Sequence, residues 1–164
     1  KEYESANLFG FSTSGNLYGV GSPKGVQMIS FNDLSVHNYP RGFQFSISED
    51  DNLIAIASEN EIKVFNNESL ISTIHTGFKH TRKIILSSIN DFIAAISKNN
   101  LKVYSLSNGA LKFSNTLGAD KSYRDLKIID NQIATGVHYR TKTEYTGEMI
   151  LLDSMWIKNK SIIR

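Results

Sequence analysis

Leu53-Ile-Ala-Ile-Ala-Ser58, followed after a short polar turn by Glu61-Ile-Lys-Val-Phe65, decides the fold, because the chain writes this stretch more than once. At an offset of 39 residues, Phe92-Ile-Ala-Ala-Ile-Ser97 and Asn100-Leu-Lys-Val-Tyr104 match it without a gap. Leu17-Tyr-Gly-Val-Gly-Ser22 with Val26-Gln-Met28 lies 36 residues before it, and Gln132-Ile-Ala-Thr-Gly-Val137 with Met149-Ile-Leu-Leu152 begins 40 residues after the third copy. Each copy is an apolar strand rich in small residues, a polar turn and a second strand. Self-similarity at such a period marks a repeat architecture, in which each unit buries its apolar faces only against its neighbours.

Every unit carries a further strand on either side. Phe43-Gln-Phe-Ser-Ile47 alternates apolar and polar residues and ends at Glu49-Asp-Asp-Asn52, while Ser69-Leu-Ile-Ser-Thr-Ile74 alternates again after Asn66-Asn-Glu68. In the third unit Ile84-Ile-Leu86 leads to a turn at Asn90-Asp91, and Ala110-Leu-Lys-Phe113 follows the hairpin dipeptide Asn108-Gly109. Four short strands per period without helical periodicity predict an all-β chain of four-stranded antiparallel β-propeller blades. A β-sandwich would not repeat itself in this way. The blades are expected at about 6–40, 42–76, 83–117 and 123–163. Four blades are fewer than most such rings hold, and the chain starts at Lys1 without an initiator Met. The expectation is therefore a processed or excised part of a larger propeller, with completion by another chain and closure as a small ring as the alternatives.

The period and the Ile-x-Val-aromatic strand resemble degenerate WD repeats. Val64-Phe65 and Val103-Tyr104 stand where that family has its Trp-Asp pair, and Lys79-His80 lies near the place of its Gly-His dipeptide, which is missing. The resemblance implies a propeller serving as a protein-interaction scaffold in a cytoplasmic or nuclear assembly. It also implies that partners meet the face formed by the loops between blades and the loops joining second to third strands.

The chain has 164 residues, with 18 Lys and Arg against 16 Asp and Glu, so the net charge of +2 announces no nucleic-acid or membrane surface. Cysteine is absent, which excludes disulfides, thiolate metal sites and a cysteine nucleophile. The four histidines, His37, His75, His80 and His138, show no metal-ligand spacing. Gly10-Phe-Ser-Thr-Ser-Gly15 has the wrong spacing for a nucleophile elbow. Gly19-Val-Gly-Ser-Pro-Lys-Gly25 lacks the phosphate-loop pattern, and its glycines are expected where blades crowd together. No catalytic constellation, cofactor motif or metal site is expected, and the chain reads as a non-enzyme.

The charges separate by loop type. Loops on the partner face carry Lys79, His80, Arg82, Lys83, Lys121, Arg124, His138, Tyr139, Arg140 and Lys142, which form the candidate binding surface. Opposite turns collect Asp33, Glu49, Asp50, Asp51, Glu68, Asp91, Asp130 and Asp153, an arrangement that the turn chemistry of Asp partly accounts for. The expected partner is an acidic or phosphorylated protein segment, for which Arg82 offers a two-pronged hydrogen-bond donor. A phosphoinositide membrane surface is the second reading, although the paired-arginine motif of lipid-binding propellers is missing. Nucleic acid and a propeller enzyme stand behind it. Val137–Gly147 reads either as an enlarged binding loop or as a hairpin whose strands run on, and Trp156 as a core or edge-strand residue.

Overall fold

A computed structural model describes residues 8–140, 145–152 and 158–163. Blade 1 contains β1 (Leu8–Phe11), β2 (Leu17–Ser22), β3 (Gly25–Ser30) and β4 (Val36–Tyr39). Blade 2 contains β5 (Gln44–Ile47), β6 (Leu53–Ala57), β7 (Glu61–Asn66) and β8 (Ser69–His75). Blade 3 contains β9 (Lys83–Ser87), β10 (Phe92–Ile96), β11 (Asn100–Ser105) and β12 (Leu111–Thr116). Blade 4 contains β13 (Lys121–Ile129), β14 (Gln132–Arg140), β15 (Tyr145–Leu152) and β16 (Lys158–Ile163). Each blade is an antiparallel meander with its strands paired in chain order, the propeller-blade arrangement that the repeat implied.

A serine closes the first hairpin of three blades at the repeat spacing. Ser12, Ser48 and Ser87 end the first strand, and their hydroxyls accept the backbone N–H of Leu17 (3.1 Å), Leu53 (2.9 Å) and Asn90 (3.2 Å). Each hydroxyl supplies an acceptor that a tight turn would otherwise lack. Between β7 and β8 the turn residues Asn67 and Glu68 take φ of 44° and 69°, the left-handed pair that a two-residue hairpin requires. Glutamate is an unusual choice there. Its carboxylate accepts the Asn38 backbone N–H at 3.0 Å and lies 3.4 Å from His37 Nδ1, tying this turn to the outer strand of blade 1.

The first strands β1, β5, β9 and β13 adjoin one another in succession and form the inner side of the blade array. Blade 1 packs on blade 2, blade 2 on blade 3, and blade 3 on blade 4. No packing of comparable extent joins blade 1 to blade 4 among the described residues. Strand β10 is buried at all five positions because blades 2 and 4 cover both of its faces. The outer strand β12 is mostly exposed, as is β8 over its first half.

The three blade joints share one chemistry. At each joint one or two small residues lie among larger ones and meet large residues of the next blade. Gly10 and Gly19 of blade 1 face Phe45 of blade 2, Ala55 and Ala57 face Ile84, Leu86 and Ile93 of blade 3, and Ala94 faces Ile133 and Leu126 of blade 4. The fit is tightest at the first joint, where a Cβ added to Gly19 would lie 2.4 Å from the Phe45 ring and 2.9 Å from Met28 Sδ.

Gly19→Ala therefore forces the ring out of its seat. The expected cost is about 1–3 kcal/mol by urea denaturation, and Phe45→Leu in the same chain recovers part of it. Unchanged stability in Gly19→Ala would contradict this packing.

Candidate functional site

The loops Ser58–Glu61, Thr76–Arg82, Ser97–Asn100 and Leu117–Lys121 meet at one end of the blades. Their backbones bond to one another there: Thr76 N–H to Asn60 O at 2.8 Å, Arg82 N–H to Ile96 O at 2.8 Å, Leu117 N–H to Asn99 O at 2.8 Å and Tyr123 N–H to Lys98 O at 2.9 Å. The loop between blades 2 and 3 is further held from inside. Phe78 is buried, and its N–H donates to Thr76 Oγ1 at 3.1 Å. Lys102 Nζ lies 5.0 Å from the centre of the Phe78 ring and donates to Thr76 O at 2.6 Å. The exposed Lys79 and His80 therefore stand on a braced turn rather than on a free loop.

Other candidate cations have partners within the fold. Arg82 Nη1 donates to Tyr123 O at 3.2 Å, and Lys83 pairs with the Asp125 carboxylate, so both stitch blade 3 to blade 4. Lys121 Nζ sits 4.5 Å over the Tyr139 ring, and Tyr139 packs partly buried against the joint of blades 3 and 4. Arg124 Nη2 lies 3.3 Å from His138 Nδ1. This pair borders the outward flank of blade 4, away from the Lys79–His80 turn. The eight candidates whose side chains are described thus divide into a braced loop group, an interblade group and a flank pair. The Arg140 side chain and Lys142 lie outside the described residues, as do Asp153 and Trp156. Strands β14 and β15 run on as far as the pair Arg140–Tyr145, so the enlarged 137–147 segment is largely a longer hairpin.

At the opposite end the carboxylates serve turns. Asp50 accepts Ser48 Oγ at 2.6 Å and Asn52 Nδ2 at 3.0 Å, and Glu49 accepts the Ser88 N–H at 3.1 Å. Asp91 accepts Ser105 Oγ at 2.8 Å and the Ser107 N–H at 2.7 Å. This end is not free of cations, since Lys112 Nζ reaches Asp91 Oδ2 at 3.0 Å. Burial opposes the Asp91 charge, but Lys112 and these donors outweigh it and lower its pKa to about 2. Burial raises the Tyr104 hydroxyl to about 12, and that hydroxyl donates to Thr76 O at 3.4 Å. Among the described residues no three His, Asp or Glu side chains gather to hold a metal.

Sequence reading passed over two surfaces on the end blades. The outward flank of blade 4 holds a groove of about 620 Å³ over Ala134, Gly136, Gly147 and Met149. The outward flank of blade 1 displays Phe9, Phe11, Tyr18 and Phe31 in an aromatic cluster, with Phe11 and Tyr18 at 4.7 Å between ring centres. The available signal was the alternation Phe9-x-Phe11 and Ala134-x-Gly136, read one face at a time.

No family model matches the chain, and no curated protein matches it in sequence. Solved structures do match its fold. KlAtg21, solved in complex with the coiled-coil of AgAtg16, superposes with a TM-score of 0.72 at 18% identity, over 95% of this chain and 55% of that one. The RRP9 WD40 repeats superpose with a TM-score of 0.69 at 9% identity, over 92% of this chain and 58% of theirs. Hydrazine synthase from Kuenenia stuttgartiensis gives 0.58 at 9% identity, over 99% and 67% respectively. The fold is that of WD40 propellers, and the chain spans somewhat more than half the length of the two WD-type structures. At these identities what is shared is the backbone arrangement, and it recurs in a protein named as an enzyme as well as in WD40 repeats.

The Lys83–Asp125 pair yields a pH-dependent expectation. Burial raises the Asp125 pKa, but the hydrogen bond from Lys83 and the Leu126 N–H outweigh it, and the carboxyl sits below its ordinary 3.8. Its contribution to stability is present above that value and is lost as pH falls through the lowered one. Lys83→Ala should cost no more than about 1 kcal/mol at pH 7, because the pair is partly exposed. The difference between variant and parent should shrink in acid. Urea melts at neutral and acidic pH check this, and an equal difference at both would contradict it.

Proposed function

We propose that this chain is a non-catalytic interaction module of an intracellular assembly, whose braced loop end holds an acidic or phosphorylated segment of a partner protein. The observation that carries the reading is the exposure of Lys79, His80, Arg82 and Lys98 on loops that are fixed before any partner arrives. Pre-fixed loops lose little freedom on binding, so charge-assisted contacts convert more fully into affinity. The acids close by are few: Glu59 and Asp120 are exposed, and Glu61 is occupied by Lys63 at 3.0 Å. Arg82 contributes while remaining bonded to the Tyr123 carbonyl, and Lys121 contributes from the neighbouring blade. Binding of a coiled-coil, stated for KlAtg21, is compatible with a propeller serving as a docking surface.

A panel of acidic and phosphorylated peptides, followed by fluorescence anisotropy, tests this reading. The variant Lys79→Glu/Lys98→Glu changes exposed side chains outside the three blade joints, so its melting temperature should stay near that of the parent. Its affinity for the peptides that bind should fall at least about tenfold, and parent binding should weaken as salt shortens the screening length. Equal affinity in parent and variant would overturn the assignment. Selective capture of anionic vesicles with no peptide binding would replace it with the lipid reading.

A further inference from the structure

Pro40-Arg-Gly-Phe43 carries the chain from blade 1 to blade 2. Phe43 N–H donates to Ala57 O at 2.7 Å, as Arg82 N–H donates to Ile96 O one repeat later. That equivalence sets Arg41 in the place of His80, at the same end of the blades as the braced loops. Arg41 is exposed and, among the described residues, makes no hydrogen bond or ion pair, whereas Arg82 is bonded to Tyr123 O. A guanidinium in this state has its whole fork of donors to offer.

Arg41 also lines a pocket of about 260 Å³ in the joint between blades 1 and 2, together with Leu8, Gly21, Pro23 and Phe43. Close backbone approach sets its walls. A Cβ added to Gly42 would lie 2.3 Å from Ile56 Cγ2, and one added to Gly25 would lie 2.4 Å from Tyr39 O, so the connection and the β2–β3 turn are pressed against their neighbours. Within that turn Lys24 N–H donates to Ser22 Oγ at 3.2 Å. Among the described lining residues there is no carboxylate, and the exposed Lys24 follows Pro23 directly. The pocket lies on the face of blade 1 that meets blade 2, and strand alternation puts Phe9 on the opposite face. Its walls therefore do not depend on what covers that other flank.

We propose that this pocket is an oxyanion site, in which Arg41 takes the carboxylate or phosphate of an acidic side chain while the apolar stem of that side chain lies against Leu8, Pro23 and Phe43. Charge and shape choose the occupant. The guanidinium offers two parallel hydrogen bonds to a planar or tetrahedral oxyanion, and no acid of the pocket competes for it. Phe43 is 41% exposed and gives the stem an apolar surface to cover. Apolar walls also lower the local dielectric, which strengthens the charge-assisted bonds. The part this pocket plays in partner recognition rests on the reading above: it would anchor one acidic residue of the segment that Lys79 and Lys98 hold one joint further on.

Amide chemical-shift titration of the isotope-labelled full chain tests the site with three probes: phenyl phosphate, inorganic phosphate and phenol. Phenyl phosphate should shift the amides of Ser22, Gly42 and Phe43 saturably, with a dissociation constant of roughly 1 mM. Inorganic phosphate, which has no stem, and phenol, which has no charge, should each bind at least about tenfold more weakly. Arg41→Gln changes an exposed side chain, so the rest of the spectrum should stay in place while the phenyl phosphate response falls at least about tenfold. Lys79→Glu/Lys98→Glu should leave that response intact. No saturable shift at these amides, equal binding of inorganic phosphate, or an unchanged titration in Arg41→Gln overturns the proposal. If phenyl phosphate needs Arg41 while acidic peptides bind parent and Lys79→Glu/Lys98→Glu alike, the pocket stands and the loop reading falls. If the peptides need the two lysines while phenyl phosphate ignores Arg41, the loop reading stands and the pocket falls.

Discussion

Phe45 pressed between Gly10 and Gly19 is the contact on which the rest of the chain depends. A four-stranded blade has two apolar faces and cannot cover either by itself. The ring of one blade fits because its neighbour has no side chain at that place, and the alanines of the next two blades repeat the solution with aliphatic partners. Each joint fixes the angle at which the next blade leaves, and the loops at the ends take their positions from that angle. Blade 3 shows the completed state, with both faces covered and β10 buried throughout. Among the described residues, blades 1 and 4 each show one covered and one open face.

The same economy shapes the polar chemistry. Serines close the first hairpins, aspartates accept turn N–H groups, and several cations bind carbonyls or carboxylates of the neighbouring blade. Lys102 supports a loop through Thr76 O and Phe78, although it lies in the strand whose Lys position the repeat duplicates at Lys63. Lys63 instead pairs with Glu61 on its own strand. Equivalent positions in the repeat thus acquire different duties once the blades are assembled. That is why a basic loop face is a smaller surface than its charge count suggests.

Much of the fold was legible because its causes are local. Alternation in Phe43–Ile47 and Ser69–Ile74, small-residue runs in Leu53–Ala57 and Phe92–Ile96, and Asn-Asp turns at a constant period leave little but stacked meanders. The site was legible only in part, because its determinants are distant in sequence. Nothing near Arg82 announces that it reaches Tyr123 O, 41 residues away, or that Lys83 meets Asp125. Arg124 and His138 look like loop residues until the β13–β14 register places them beside the groove on blade 4. Phe9 and Phe11 resemble any alternating strand residues. Their exposure follows from blade 1 having no neighbouring blade on that side among the described residues.

Stability should therefore be graded across the array, and native-state hydrogen exchange measures this most directly. The account predicts the slowest exchange in the central strands of blades 2 and 3, β6 and β10, which are covered on both faces. Exchange should be faster in β1, whose flank carries the exposed phenylalanines, and in the outer strand β12. Uniform protection across all four blades, or β10 exchanging as fast as β1, would contradict the claim that face-to-face blade joints hold this chain together.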